Sequence, residues 1–359
     1  MLSYWFLFFL PALAALGTRS NMRLQPDGTR SVRLTILPVL FFALLTVMVG
    51  FRYEVGADWR NYFAYLTGAT TLDFSGILLQ NDPGYWALNF ISIQLGWGVT
   101  GVNLAGAVMF SFGVTYFCAH QPRNWLALAS AIPYLVIVVG MGYTRQGIAL
   151  SLVMIGFVAL DRKRLVWFAI CVLAAALFHK SAVIILPIAG LVSSKNKLLS
   201  LLFVAMTSAI GYLAFLEDSL QNLLNQYQDG NFVSSGTLIR LTMNVVPAAL
   251  FFLFYKRIRM RAAEKKLWGT MSIISFVLFA AFFLINRSTA LDRIALYLIP
   301  LQIVVFSHLP DILGRPGRRN QAIVLGVLLY YGAVLFVWLN FATNSRYWIP
   351  YQIGFSVDF

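Results

Sequence analysis

Phe51-Arg-Tyr-Glu-Val-Gly-Ala-Asp-Trp-Arg-Asn-Tyr-Phe63 follows directly on a long apolar run, and the contrast between the two decides how the chain is read. Arg52, Glu54, Asp58 and Arg60 arrive together in a protein of 359 residues in which only 11% are charged and 60% are hydrophobic. Mean hydropathy is +0.76, well above that of a globular protein. Several apolar stretches approach the roughly 20 residues a helix needs to cross a bilayer. They are continuous rather than alternating, which argues against a β-barrel. The chain therefore reads as an all-α, polytopic integral membrane protein. A charge near the bilayer centre costs about 2.5–3.5 kcal/mol. Charges and aromatics gathered at the end of a span point to a polar ligand rather than to folding.

Working outward from that stretch, spans are expected at about 2–17, 34–51, 98–118, 125–142, 145–160, 165–178, 181–193, 198–216, 240–255, 267–285, 294–307 and 321–340. No basic residue precedes the first, whereas Arg19, Arg23, Arg30 and Arg33 follow it. A secretory signal has the opposite charge order, so a retained helix with its N-terminus outside is expected. The apolar segment Pro83–Trp97 is short. Read as a re-entrant or surface helix that turns back at Gly96, Gly98 and Gly101, it lets every basic cluster fall on the cytoplasmic side, as the positive-inside bias requires. That bias accounts for a net charge of +14 without nucleic acid as a partner. The whole of 1–359 reads as one multi-spanning domain of about 12 spans, with external loops at 52–97 and 217–239. Loop 217–239 is rich in amides, which suits carbohydrate hydroxyls and equally a solvated linker. Cys118 and Cys171 lie in apolar runs and read as packing residues, and His120 and His308 as occupants of cytoplasmic loops.

This topology leaves a short set of basic residues outside: Arg52, Arg60, Arg145, Lys180, Arg240, Arg287, Arg293 and Arg346. Anchoring to lipid headgroups explains any one of them. Together they are suited to a cavity for a diphosphate, because the planar guanidinium fork holds phosphate oxygens in pairs and stays charged. His179 is the one histidine on that face, at a tight turn beside Lys180, where a neutral imidazole can orient or deprotonate a sugar hydroxyl. Glu54 and Asp58 are four apart, so a helical turn would place them on one face. Asp58 is a candidate base or sugar ligand, with ion pairing to Arg52 or Arg60 as the alternative. Neither an Asp-x-Asp pattern nor a convincing metal spacing occurs, and no P-loop, Rossmann fingerprint or nucleophile elbow is present. No metal and no cofactor is therefore expected. An outward-facing transferase would draw on a lipid-linked diphosphate as donor.

Five short motifs in order then resemble the EpsG family, relatives of the Wzy-type O-antigen and capsule polymerases. They are Arg52-x-x-x-Gly56-x-Asp58 followed by Tyr62; Asp82-Pro-Gly-Tyr85 with Asn89; Arg145-Gln146 with Ala149; His179-x-Ser181-Ala182; and Arg293 with Tyr297. The family more often has Glu where Asp82 stands. The resemblance implies an architecture like the multi-spanning GT-C glycosyltransferases in a bacterial inner membrane, with its site facing the periplasm or exterior. It implies a polymerase that joins undecaprenyl-diphosphate-linked oligosaccharide repeats, acting among membrane lipids beside a flippase and a chain-length regulator. On that reading Arg145 and Arg293, with Arg52 and Arg287, hold the diphosphate. His179 or Asp58 activates the acceptor hydroxyl, and Trp59, Tyr62 and Tyr85 pack on sugar faces. Glu54, Asp82, Gln146, Lys180, Arg240 and Tyr297 complete the binding site. A flippase for the same lipid-linked sugars would need polar residues spread through the spans. An O-antigen ligase would share the physics and differ in acceptor.

Overall fold

A helix without water around it must satisfy its own backbone, and the apolar runs do so. The computed structural model describes residues 1–20, 36–193, 236–284 and 288–354. The expected span 198–216, most of loop 217–239, and Arg287 lie outside the described residues. Helices α1 (Leu2–Gly17) and α2 (Ile36–Gly50) are followed by three short helices, α3 (Trp59–Thr70), α4 (Phe74–Leu78) and α5 (Pro83–Gln94). Next come α6 (Gly98–Ala119), α7 (Asn124–Ala131) with a π-helical continuation over Ile132–Gly140, α8 (Thr144–Asp161), α9 (Leu165–Ala176), a 3-10 turn at Lys180–Ile185 and α10 (Leu186–Ser193). The remainder is α11 (Thr237–Leu253), α12 (Ala262–Leu284), α13 (Ser288–Leu296), α14 (Ile299–Leu313), α15 (Gln321–Phe341) and a 3-10 turn at Thr343–Tyr347.

Among the described residues, five helical segments are long and apolar enough to cross a membrane: Gly98–Ala119, Thr144–Asp161, Ala262–Leu284, Leu291–Leu313 and Gln321–Phe341. Shorter apolar helices occupy Leu2–Gly17, Ile36–Gly50, Asn124–Gly140, Leu165–Ala176 and Thr237–Leu253, each overlapping a stretch expected to be a span. This is a helical integral membrane protein. Packing separates the core from the periphery. Leu291–Leu313 is 89% buried and central, whereas Gln321–Phe341, at 33%, turns Leu325, Leu329, Phe336 and Phe341 outward, as a lipid-facing helix does.

Helix α8 packs on α6 and α9, with Thr144 at its start and Asp161 at its end. Its start, Thr144-Arg145-Gln146, meets α3 and α5. Its end carries Asp161, which pairs with Arg261, and is followed by Arg162, whose guanidinium contacts the His120 ring at 2.8 Å. At that same end Arg123 pairs with Asp311 at 2.9 Å and donates to the carbonyls of Arg318 and Arg319. Basic groups from both halves of the chain are thus collected opposite the Arg145 end. His308 departs from expectation: it is fully buried within α14 rather than in a loop, and its Nδ1 lies 2.8 Å from the Val304 carbonyl.

The segment after Pro83 forms a helix of 12 residues. At about 1.5 Å per residue it falls well short of the roughly 30 Å hydrocarbon core. The chain turns back where Gly96 and Gly98 take φ of 68° and 54°, a region open to glycine, and Ser92 Oγ donates to the Gly98 carbonyl at 2.6 Å. Helices α3 and α5 then close over their own small core of Trp59, Tyr62, Leu66, Tyr85, Val99 and Val102.

Candidate functional site

The site begins with the loop quoted at the outset. Its backbone is tied to the C-terminal segment: Tyr53 N donates to Gln352 O at 3.0 Å, Gly354 N to Phe51 O at 3.0 Å, and Gly56 N to Tyr347 O at 2.9 Å. Gly56 has φ +109°, and a Cβ there would stand 2.5 Å from the Met141 carbonyl oxygen, so the loop presses on the turn before α8 as only glycine allows. Trp348 locks the same turn from behind. Its ring lies against Gly142, and its Nε1 donates at 2.8 Å to the Ile137 carbonyl within the π-helical stretch.

Inside this frame Arg52 is 1% exposed. Its guanidinium donates to Met141 O at 3.0 Å, Asn103 Oδ1 at 2.9 Å, Thr144 Oγ1 at 2.6 Å and Val49 O. The side chain expected to bind ligand instead joins α2, α6 and the start of α8. Glu54 stands apart as well. It is exposed with φ 52° in a turn, and α3 begins only at Trp59, so Glu54 and Asp58 do not share the helical face expected of them.

Asp58 opens α3 and faces a cleft of about 530 Å³ lined by Asp58, Asn61, Tyr62, Ala64, Tyr65, Trp86, Arg145 and Arg293. Four segments widely separated in sequence meet there. Tyr62 fixes α3 to α8: its hydroxyl accepts from Thr144 N at 2.8 Å and donates to Gly142 O at 3.2 Å. Arg145 reaches Asp82 Oδ2 at 2.8 Å, and its guanidinium lies 4.7 Å above the Tyr65 ring centre and 5.9 Å from that of Tyr85. Asp82, in left-handed conformation at the N-terminus of α5, accepts the Lys180 backbone N–H at 2.9 Å on its other oxygen. One carboxylate therefore orients both the cleft arginine and the His179–Lys180 turn. Arg293 enters from α13, where Gln146 Nε2 donates to its carbonyl at 3.0 Å and Tyr297 Oη meets Ser181 Oγ at 3.1 Å.

The electrostatics follow from this crowding. Burial raises the carboxyl of Asp58 above its ordinary value, while Arg145, the Asn61 amide and Arg293 pull it down. Burial lowers His179 to about 3, and Arg145, Arg293 and Lys180 push in the same direction. Its ring is neutral at any physiological pH, and its Nδ1 is buried with no hydrogen-bond partner among the described residues. Both groups sense the same two arginines, so all four belong to one electrostatic neighbourhood.

The expected residues divide into three sets. Asp58, Tyr62, Arg145 and Arg293 line the cleft together. Asp82, Gln146, His179, Lys180 and Tyr297 stand behind it and hold its walls. Arg52, Glu54, Trp59, Tyr85 and Arg240 do not line it. Trp59 packs edge-on to Tyr53 and Phe63, Tyr85 is fully enclosed, and Arg240 pairs with Asp292 and hydrogen-bonds Tyr143. The sequence reading missed Asn61, Ala64, Tyr65 and Trp86. The signal for three of the four was spacing: Asp58, Asn61, Tyr62 and Tyr65 stand at i, i+3, i+4 and i+7, one face of a helix, with Ala64 beside it.

A helical membrane protein with a polar, two-arginine cleft at the end of its bundle is the class that this geometry defines. The family model for EpsG matches residues 35–353, nearly the whole chain. The protein belongs to the EpsG family, a family of Wzy-like polymerases of polysaccharide biosynthesis. No curated protein and no solved structure matches it.

Proposed function

We propose that this protein is a polymerase of lipid-linked saccharide repeats, acting at the non-cytoplasmic face of a bacterial inner membrane with undecaprenyl diphosphate as the carrier. The observation that carries the reading is the meeting of Asp58, Arg145 and Arg293 in one cleft. In the reaction, the acceptor hydroxyl oxygen bonds to the anomeric carbon of the donor glycan while the bond from that carbon to the phosphate oxygen breaks. The hydroxyl proton passes to Asp58, which burial makes a stronger base than a solvated aspartate. Negative charge grows on the departing lipid diphosphate, where Arg145 and Arg293 stabilise it. Their fixed positions, set by Asp82 and Gln146, spare reorganisation during the step.

Asp58 fits the base better than His179. It faces the cleft, whereas His179 does not line it and, with burial as the main cause, holds a proton poorly. Orientation toward the exterior is supported by the basic clusters around Arg123, Arg162 and Arg261 at the opposite end, the pattern of a cytoplasmic face.

The test is reconstitution of the purified protein in liposomes with lipid-linked repeats, read as a glycan ladder. Wild type yields the ladder. Arg145→Ala and Arg293→Ala insert normally and leave single repeats. A wild-type-length ladder from either variant refutes the assigned role, and transbilayer movement of repeats without any ladder identifies a flippase.

A further inference from the structure

We infer that Trp86 is the stacking platform for a sugar ring of the lipid-linked substrate, seated next to the diphosphate held by Arg145 and Arg293. The inference rests on the proposed function and assigns to one wall of the cleft a chemistry that the arginines do not supply. Trp86 is half-buried and lines the cleft, whereas its neighbour Tyr85 is fully enclosed, because adjacent helical residues point about 100° apart.

Two contacts hold the indole. Tyr65 meets it with ring centres 5.2 Å apart at 67°. Gly68 admits it to the surface of α3: a Cβ there would stand 2.9 Å from Cη2 and 3.1 Å from Cζ3 of Trp86. Tyr65 in turn carries the Arg145 guanidinium over its ring at 4.7 Å, so a chain of contacts runs from the indole to the cation that is to hold the phosphate.

A pyranose ring presents a face of C–H groups that is apolar and faintly positive, and it docks on the electron-rich face of an indole. The rest of the cleft lining is suited to the other half of such a ligand, with cations for phosphate, and Asp58 and Asn61 for hydroxyls. Tryptophans of membrane proteins also serve as interfacial anchors facing headgroups. Trp97 fits that description, being 54% exposed and outside the cleft. Trp86 does not, since it shares its space with Asp58, Arg145 and Arg293.

The experiment titrates full-length protein in nanodiscs with two probes, citronellyl diphosphate and the same diphosphate carrying glucose. Wild type is expected to bind the glucosylated probe about tenfold more tightly than the bare one. Trp86→Ala removes that gain and leaves affinity for the bare diphosphate unchanged. Trp86→Phe, which keeps an aromatic face and guards against misfolding of the alanine variant, retains most of the gain. Trp97→Ala changes neither affinity. Equal weakening of both probes by Trp86→Ala, or no loss of the sugar-dependent gain, overturns the inference. The two readings fail differently: a wild type that binds the bare diphosphate without gaining from the sugar removes the platform alone, whereas one that binds neither probe removes the proposed function with it.

Discussion

Arg52→Ala is the perturbation that separates scaffold from site most sharply, because sequence alone places Arg52 beside Arg145 as a phosphate ligand. The structure gives its guanidinium four protein acceptors: Met141 O, Asn103 Oδ1, Thr144 Oγ1 and Val49 O. Hydrogen bonds from a charged donor contribute about 1.5–3 kcal/mol each, and they do not add, because acceptors left behind re-pair in part. Loss of a buried, fully engaged cation then destabilises by about 3–5 kcal/mol. For a chain of 359 residues that corresponds to a fall of about 4–7 °C in Tm, at about 2.1 cal/mol/K of unfolding entropy per residue. Arg52→Lys recovers little, since a single ammonium cannot span the acceptors that a planar fork reaches.

Arg145→Ala is the matched comparison. Its side chain is 32% exposed and its ion pair is with Asp82, which keeps the Lys180 N–H after the change. The cost is about 1 kcal/mol, a few degrees at most. Melting of both variants in detergent by intrinsic fluorescence, alongside the glycan ladder, tells the two roles apart. If Arg52→Ala melts with wild type yet makes no polymer, Arg52 acts on ligand and the scaffold reading is wrong. If Arg145→Ala melts as low as Arg52→Ala, the cleft arginine is structural.

Three further outcomes are expected. Asp58, raised by burial, binds its proton more tightly in the folded chain than in the unfolded one, so its contribution to stability is present below its unfolded value of about 3.9 and is lost as pH rises through the folded value. Asp58→Asn should therefore melt higher than wild type at pH 7 while making no polymer, and the wild-type rate should fall on the acid side at a higher pH than a solvated aspartate would give; a lower melting temperature would contradict the assignment. His179, lowered to about 3, is neutral across the working range, so His179→Gln should leave the acid limb of the pH–rate profile in place, and a displaced limb would make the imidazole the base. Gly142→Ala brings a Cβ within 2.4 Å of Trp348 Cζ2 and should cost about 1–3 kcal/mol by overpacking, with Trp348→Phe recovering part of the loss in the double variant; strict additivity in Tm would show that the two do not touch.

The helices were legible because continuous apolar runs leave a chain few other options in lipid. The turn-back after Pro83 was legible from three glycines in six residues, of which Gly96 and Gly98 do adopt positive φ. The motifs located the cleft, since Asp58, Arg145 and Arg293 each sit in one. The pairing of Glu54 with Asp58 failed because helical spacing is meaningful only within a helix, and Gly56 breaks the chain before Trp59 begins one. Tyr65 and Trp86 were passed over because 15% of the chain is aromatic, and a ring at a span end looks the same whether it faces lipid or ligand.

The fate of the arginines shows why the site could be located but not populated from sequence. Arg52, Arg145, Arg240 and Arg293 all stand at or near the ends of apolar segments in a chain that otherwise avoids charge, and each needs some local reason to be there. For Arg52 the reason is a set of acceptors contributed by residues 49, 103, 141 and 144, and for Arg240 it is Asp292. Arg145 is only partly committed, paired with Asp82 along one edge and exposed to the cleft along another. What distinguishes a ligand-binding guanidinium is thus the geometry of acceptors brought from distant parts of the chain. In Arg145 that geometry leaves donors facing an open volume beside a buried carboxylate, which is the arrangement a transferase needs to hold a leaving diphosphate and receive a proton in the same space.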